Sequence, residues 1–205
     1  ALFGHVSGFA YLTGRPTEEY LDDIYRLMKN EDGTNPRRFV LELKDAEVAA
    51  YFQKKENVEE HPRYRFRLQE IEMPEDELPE GYELKEVDAE LLSKISGNIV
   101  PSSFWRSDAD FLEKGKGYCV MYGVEVASVA FSAAISSEQV DIGIETAEAH
   151  RRKGLAIIAA KKMVAYVKSI DKKPVWDCNA ANVGSRRTAE NVGFEIMAEH
   201  AFYKV

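Results

Sequence analysis

Between Val140 and Val167 the chain reads VDIGIETAEAHRRKGLAIIAAKKMVAYV, and this stretch constrains the fold more than any other. Ile142, Ile144 and Thr146 alternate with Asp141 and Glu145, the period of a half-buried strand. Arg151, Arg152, Lys153 and Gly154 then interrupt the apolar pattern. From Gly154 to Ser169 the spacing predicts a helix, with Leu155, Ile158, Met163, Val164 and Val167 on related faces. The chain must pass from a strand through a basic, glycine-containing turn into a helix. A helix start presents unpaired N–H groups and the positive end of the helix dipole. Gly154 has no Cβ to keep a ligand away from the backbone, and Ala156 is nearly as small. Such a turn is suited to cradling a phosphate.

Charge sharpens that reading. The chain of 205 residues carries a net charge of -8, which excludes the broad basic face that a nucleic-acid binder needs. A basic cluster on an acidic chain is a local exception and suggests a local anion. Two familiar phosphate motifs do not fit: the stretch lacks the first Gly and the Ser/Thr of a P-loop and the glycine triplet of a Rossmann turn. A solvated basic helix start is the simplest alternative.

Apolar residues make up 45% of the chain, enough for a sizeable core. No run approaches the roughly 18 apolar residues of a spanning helix, so no membrane partner is expected. The opening ALFGHVSGFAYLTG has no basic n-region and no long apolar core, so no signal peptide is expected either. It also lacks an initiator Met, as a processed or truncated chain would. Cys119 and Cys178 stand in separate apolar surroundings without metal spacing, so no metal is expected and a reducing, cytoplasmic compartment suits the chain.

The first half reads as a strand-like opening, a helix over EEYLDDIYRLMKN capped by Thr17, a loop at EDGTNP, a strand at RRFVLEL, a short helix at DAEVAAYFQK and a strand at HPRYRFRLQEI. The acidic, Pro-containing stretch 73–81 reads as a linker. It separates an N-terminal α/β region, 1–72, from a second region, 82–205. The second region reads as a strand (YELKEV), a helix capped by Asp88, another short helix, three antiparallel strands, the long helix after Gly154, a strand (PVWDCN), a helix ended by Gly193, and a final pair of strands. That order predicts an α+β fold: a mixed, mostly antiparallel sheet with helices on both faces.

With these elements in place, Arg151-x-x-Gly154-x-Ala156 between an apolar strand and a helix resembles the acetyl-CoA loop of the GNAT acetyltransferase superfamily. Downstream, NAANVGSRRTAENVGFE resembles the superfamily's Asn-x-x-Ser helix ending in Gly-Phe, here Asn182, Ser185, Gly193 and Phe194. The likeness covers roughly 81–205. The first eighty residues faintly resemble the N-terminal part of longer bacterial GNAT proteins, including relatives of zwittermicin-resistance acetyltransferases.

The resemblance implies transfer of an acetyl group from acetyl-CoA to a primary amine of a small molecule or peptide, by direct attack in a ternary complex. It assigns the CoA pyrophosphate to the backbone amides of Arg152, Lys153, Gly154 and Ala156, with Leu155 in the same turn and Arg151 shaping it. It assigns pantetheine and thioester to the splay after the strand 140–146, with backbone groups of Ile144, Glu145 and Thr146. Many members protonate the leaving thiolate with a tyrosine on the later helix. Here Ala189 stands at that position, and Ser185 becomes the candidate, as in the Asn-x-x-Ser variant of ribosomal-protein N-terminal acetyltransferases. Asn182 either contacts CoA or caps its helix. Tyr203 is a second candidate acid, against a core or surface tyrosine. An alkylammonium has a pKa of about 10, so a base is needed. Glu145 is the candidate, directly or through water, against a salt-bridged structural residue, and His200 is an alternative. Arg186 and Arg187 could reach the CoA 3′-phosphate or form a solvated face. Trp105 and the aromatics of the first half could line the acceptor site or the core. An acidic surface suits a cationic acceptor, and exposed C-terminal strands would allow a homodimer. A non-catalytic acyl-CoA-binding module on the same fold is the competing reading.

Overall fold

The computed structural model describes residues 1–31, 33, 38–71, 74 and 76–205. Most of the expected EDGTNP loop, and Met73 and Glu75 of the expected linker, lie outside the described residues. The chain forms two compact units: residues 1–64 with 179–181 and 198–205, and residues 65–178 with 182–197.

In the first unit, strands β1 (Leu2–Gly4) and β2 (Phe9–Leu12) pair antiparallel, with Leu2 opposite Leu12. The opening stretch is thus a hairpin and not one strand, because Gly8 takes φ +85° and Gly8 N donates to His5 O at 3.0 Å. Helix α1 (Glu18–Lys29) is capped by Thr17, whose hydroxyl accepts from Tyr20 N. It carries the chain over to β3 (Val40–Leu43), which pairs parallel with β2, as a helical crossover allows. Helix α2 (Ala46–Gln53) is capped by Asp45. Leu21, Ile24 and Met28 lie on one face of α1 and are buried with Leu41, Leu43, Phe52 and Tyr203 in one apolar cluster.

Strand β4 (Glu59–Leu68) contributes residues to both units. In the second unit, β5 (Tyr82–Glu86), β6 (Gly117–Tyr122), β7 (Glu125–Ile135) and β8 (Gln139–Thr146) form an antiparallel meander. Helices α3 (Ala89–Lys94) and α4 (Asp108–Lys114) lie between β5 and β6 in sequence, capped by Asp88 and Ser107. A 3-10 turn, Pro101–Ser103, separates them. Phe111, Leu91 and Leu92 pack with Val87, Val129 and Phe131.

Helix α5 (Leu155–Ser169) follows β8 and buries Leu155, Ala159, Ala160, Met163, Val164 and Val167. Ile158, expected on that face, is only half-buried. The two alanines let the helix axis approach the sheet. Then come β9 (Lys173–Asn179), helix α6 (Val183–Val192) and β10 (Phe194–Lys204). Gly193, in the left-handed region at φ +104°, ends α6 as glycine does at many helix C-termini. The expected final pair of strands is one strand of 11 residues. No Gly, Pro or Asn interrupts FEIMAEHAFYK, so nothing in it turns the chain. The mixed sheet with its helices makes the fold α+β, as expected.

Candidate functional site

β8 and β9 pair parallel from Gln139 opposite Lys173 to Asp141 opposite Val175, and no further. Yet β8 continues to Thr146 and β9 to Asn179. The two strands thus lose their pairing after Asp141. Ala147 N donates to Ala127 O, towards β7. By the alternation of an antiparallel ladder, Ile144 and Thr146 turn their backbone groups the other way, to the edge that β9 has left. Among the described residues nothing pairs with Ile144 on that edge. Thr146 is engaged, since its carbonyl accepts from Arg151 Nε at 3.2 Å and its hydroxyl shares a 2.8 Å bond with Ser128. Glu145 turns its carbonyl the other way, to Ser128 Oγ at 3.2 Å.

Arg151 therefore ties the basic turn back to the end of β8. A short 3-10 turn (Glu148–His150) leads into it. Arg152 at φ +64° and Gly154 at φ +78° both sit in the left-handed region. An ideal Cβ on Gly154 would meet nothing within 4 Å, so its glycine is required by the backbone angle and not by crowding within the protein. The first amides of α5 with an acceptor are those of Ile157 and Ile158, both to Gly154 O. The amides of Arg152, Lys153, Gly154, Leu155 and Ala156 find no acceptor among the described residues. A row of free donors at the head of a 15-residue helix, beside two arginines and a lysine, fits a diphosphate.

The side chain of Lys153 is not loose. Its ammonium donates to Tyr82 Oη at 2.8 Å, and that hydroxyl lies 2.8 Å from His150 Nδ1. His150 is 6% exposed and its Nε2 is 3.4 Å from Glu125 Oε2. Since lysine can only donate, Tyr82 Oη accepts from it and keeps its own proton available to Nδ1. Sequence reasoning missed Tyr82, His150 and Glu125. They are far apart in the chain and match no motif.

On the other side of the splayed strands, Trp176 of β9 donates its indole N–H to Ser185 Oγ at 3.1 Å. Asn182 caps α6: its Oδ1 accepts from Ser185 N at 3.0 Å. Its side chain therefore has a structural task, whatever else it does. Ala189 is fully buried. Glu145 carries no ion pair among the described residues. Its Oε2 accepts from Asn98 N and Ile99 N, each at 2.9 Å, and its Oε1 lies 3.3 Å from Thr146 N.

Other sequence candidates have ordinary surroundings. Trp105 donates to Ser132 O at 2.8 Å and meets Phe111 edge-on, as a core residue would. Arg186 pairs with Glu190 at 2.9 Å on its own helix. Tyr203 belongs to the first unit, 3% exposed; burial pushes its phenol up, and Glu60 nearby adds to this. His200, in the same unit, has Nδ1 3.4 Å from Glu42 Oε1. That unit also opens a cavity of about 460 Å³ lined by Lys44, Glu60, Arg63, Tyr64 and Tyr203 among others. Among the described residues no group of His, Cys, Asp and Glu could hold a metal ion, and no helix is long and apolar enough to cross a membrane.

Known proteins match this arrangement. A GCN5-related N-acetyltransferase-like protein from Streptococcus suis superposes with a TM-score of 0.78 over 99% of this chain and 81% of its own, at 22% identity. A GCN5-related N-acetyltransferase from Kribbella flavida does so with a TM-score of 0.61 over 95% and 80%, at 18% identity. At such identities the likeness is one of fold. In sequence, the uncharacterized N-acetyltransferase YdfB of Bacillus subtilis is 30% identical over 129 residues, 62% of this chain and 49% of its own length. YjdG of the same organism is 34% identical over 67 residues, 32% and 40% respectively. The chain thus spans about half the length of YdfB. The family described as GNAT acetyltransferase matches residues 1–203, nearly the whole sequence, and the chain belongs to that family.

Proposed function

We propose that the protein is an acetyl-CoA-dependent N-acetyltransferase acting on a primary amine. The observation that carries this reading is the row of unpartnered amides from Arg152 to Ala156, at the end of a strand that has parted from its neighbour. When bound, acetyl-CoA supplies the activated acetyl thioester. The amides and the basic turn hold its diphosphate, and Ile144, on the free edge of β8, offers its N–H and C=O to the pantetheine arm. The acceptor's ammonium loses a proton to Glu145 Oε1, whose one contact among the described residues is long. The new bond joins the amine nitrogen to the acetyl carbon as the carbon–sulfur bond breaks. Ser185 gives its hydroxyl proton to the departing sulfur and regains one from the nitrogen, which sheds its second proton as it becomes an amide. The serine is suited to donate because it already accepts from Trp176.

The test is calorimetric titration with acetyl-CoA and, in parallel, ATP, followed by turnover with primary amines. Saturable binding of acetyl-CoA with turnover supports the reading. Binding without turnover on a broad amine panel favours a non-catalytic acyl-CoA module, the reading motivated by buried Ala189 where many relatives carry a tyrosine. Tighter binding of ATP than of acetyl-CoA would replace both.

A further inference from the structure

Glu145 spends only one of its oxygens on the chemistry proposed above. We infer that the other, Oε2, holds the Gly97–Ile99 turn, and that the exposed Asn98 and Ile99 carried on this turn select the acceptor, favouring an unbranched alkylamine over an aminosugar. The inference rests on the acetyltransferase reading for the identity of the acceptor.

Two independent features converge on the contact. Asn98 N and Ile99 N both donate to Oε2 at 2.9 Å, a charge-assisted pair. Gly97 takes φ +136°, and a Cβ there would lie 2.6 Å from Glu145 Cγ and 2.8 Å from Cδ. Only glycine supplies both the angle and the room. Among the described residues no other hydrogen bond ties residues 96–99 to the rest of the protein; the next ones along the chain are those of Ile95 N and Ser103 N, both local. The carboxylate is therefore the fastening point of this turn.

The consequence for the acceptor is geometric. An amine that hands its proton to Oε1 must approach the same carboxylate whose other oxygen binds Asn98 and Ile99. The turn that carries those residues then borders the incoming nitrogen. Ile99 is 37% exposed, an apolar shoulder against which a methylene chain can pack. A ring carbon bearing hydroxyls would lose hydration there without a matching partner.

The test combines backbone amide exchange with steady-state kinetics on wild type, Glu145→Gln, Glu145→Ala, Gly97→Ala and Ile99→Ser, using acetyl-CoA with 1,4-diaminobutane or glucosamine. Losing hydrogen bonds to a charged group should speed exchange at Asn98 and Ile99 by about tenfold or more in Glu145→Ala and Gly97→Ala. The diamine KM should rise roughly fivefold in both, with the acetyl-CoA KM unchanged, since only acceptor binding is lost. Glu145→Gln retains an oxygen acceptor, so it should keep the protection and the diamine KM while kcat falls. Ile99→Ser should reduce the preference for the diamine. Unchanged exchange in Glu145→Ala overturns the fastening, and so does a merely structural result in which the acetyl-CoA KM rises with the diamine KM. Equal wild-type use of both amines overturns the selection. Wild-type protein that binds no acetyl-CoA sinks the acetyltransferase reading and with it the selection, whereas exchange still decides the fastening.

Discussion

The indole of Trp176 donates to the hydroxyl of Ser185 across 3.1 Å, which fixes the serine oxygen and leaves its proton to be given elsewhere. Ser185→Ala should therefore lower kcat by about 10²-fold, the lower end for a positioned acid, with acetyl-CoA affinity unchanged. Trp176→Phe should cost less rate, because the hydroxyl survives but loses its orientation. Equal rates for wild type and Ser185→Ala would move the acid elsewhere.

Gly154 gives a second prediction. Its Cβ position is open, so Gly154→Ala should fold, losing roughly 1–2 kcal/mol to the left-handed angle. Gly154→Glu adds an anion where the diphosphate is proposed to bind, and calorimetry should show acetyl-CoA affinity reduced by at least about tenfold relative to Gly154→Ala. Similar affinities in the two variants would remove the diphosphate from this turn.

A third concerns the hydroxyl of Tyr82. Tyr82→Phe takes away the group that meets both Lys153 and His150. His150 is buried, and leaving its Nδ1 without this partner should destabilise the protein by about 1–3 kcal/mol, read as a lower urea midpoint. A variant as stable as wild type would show that water serves His150 equally well.

The fourth is a pH effect. Burial, aided by the Asp88 charge, pushes the Cys119 thiol up from 9.0 to about 12. Its folded value lies above its unfolded one, so its contribution is present below pH 9 and is lost as the pH rises from about 9 towards 12. Native protein should react slowly with thiol reagents at Cys119, and Cys119→Ala should flatten the alkaline fall in stability. A steep fall that persists unchanged in this variant would assign it to other groups.

Much of the second unit was legible because its signals are local. Asp88 caps the helix its side chain promised, as Thr17 does in the first unit, Gly193 ends α6, and the basic turn joins β8 to α5. The break between β8 and β9 was expected only through resemblance, and no residue in either strand announces it. What stayed hidden depends on partners distant in sequence: the Glu145 carboxylate on the Gly97 turn, and Tyr82 between Lys153 and His150. The single long β10 was misread because its alternation fades at residues 196–199, where exposed side chains imitate a turn without any residue that makes one.

Strand β10 gives residues 194–197 to one unit and 198–204 to the other, and β4 changes units between Tyr64 and Arg65. A ribosome therefore makes nearly all of the second unit before it delivers the segment that completes the first. Until Tyr203 emerges, Leu41 and Phe52 lack a wall of their cluster, although α1 and β3 were made long before. The meander from β5 to β8 can form as it is synthesised, from neighbours in sequence. The order of synthesis thus favours closing the second unit first, and it leaves the apolar face of α1 waiting for residues 198–205, open to a chaperone or a protease in the interval.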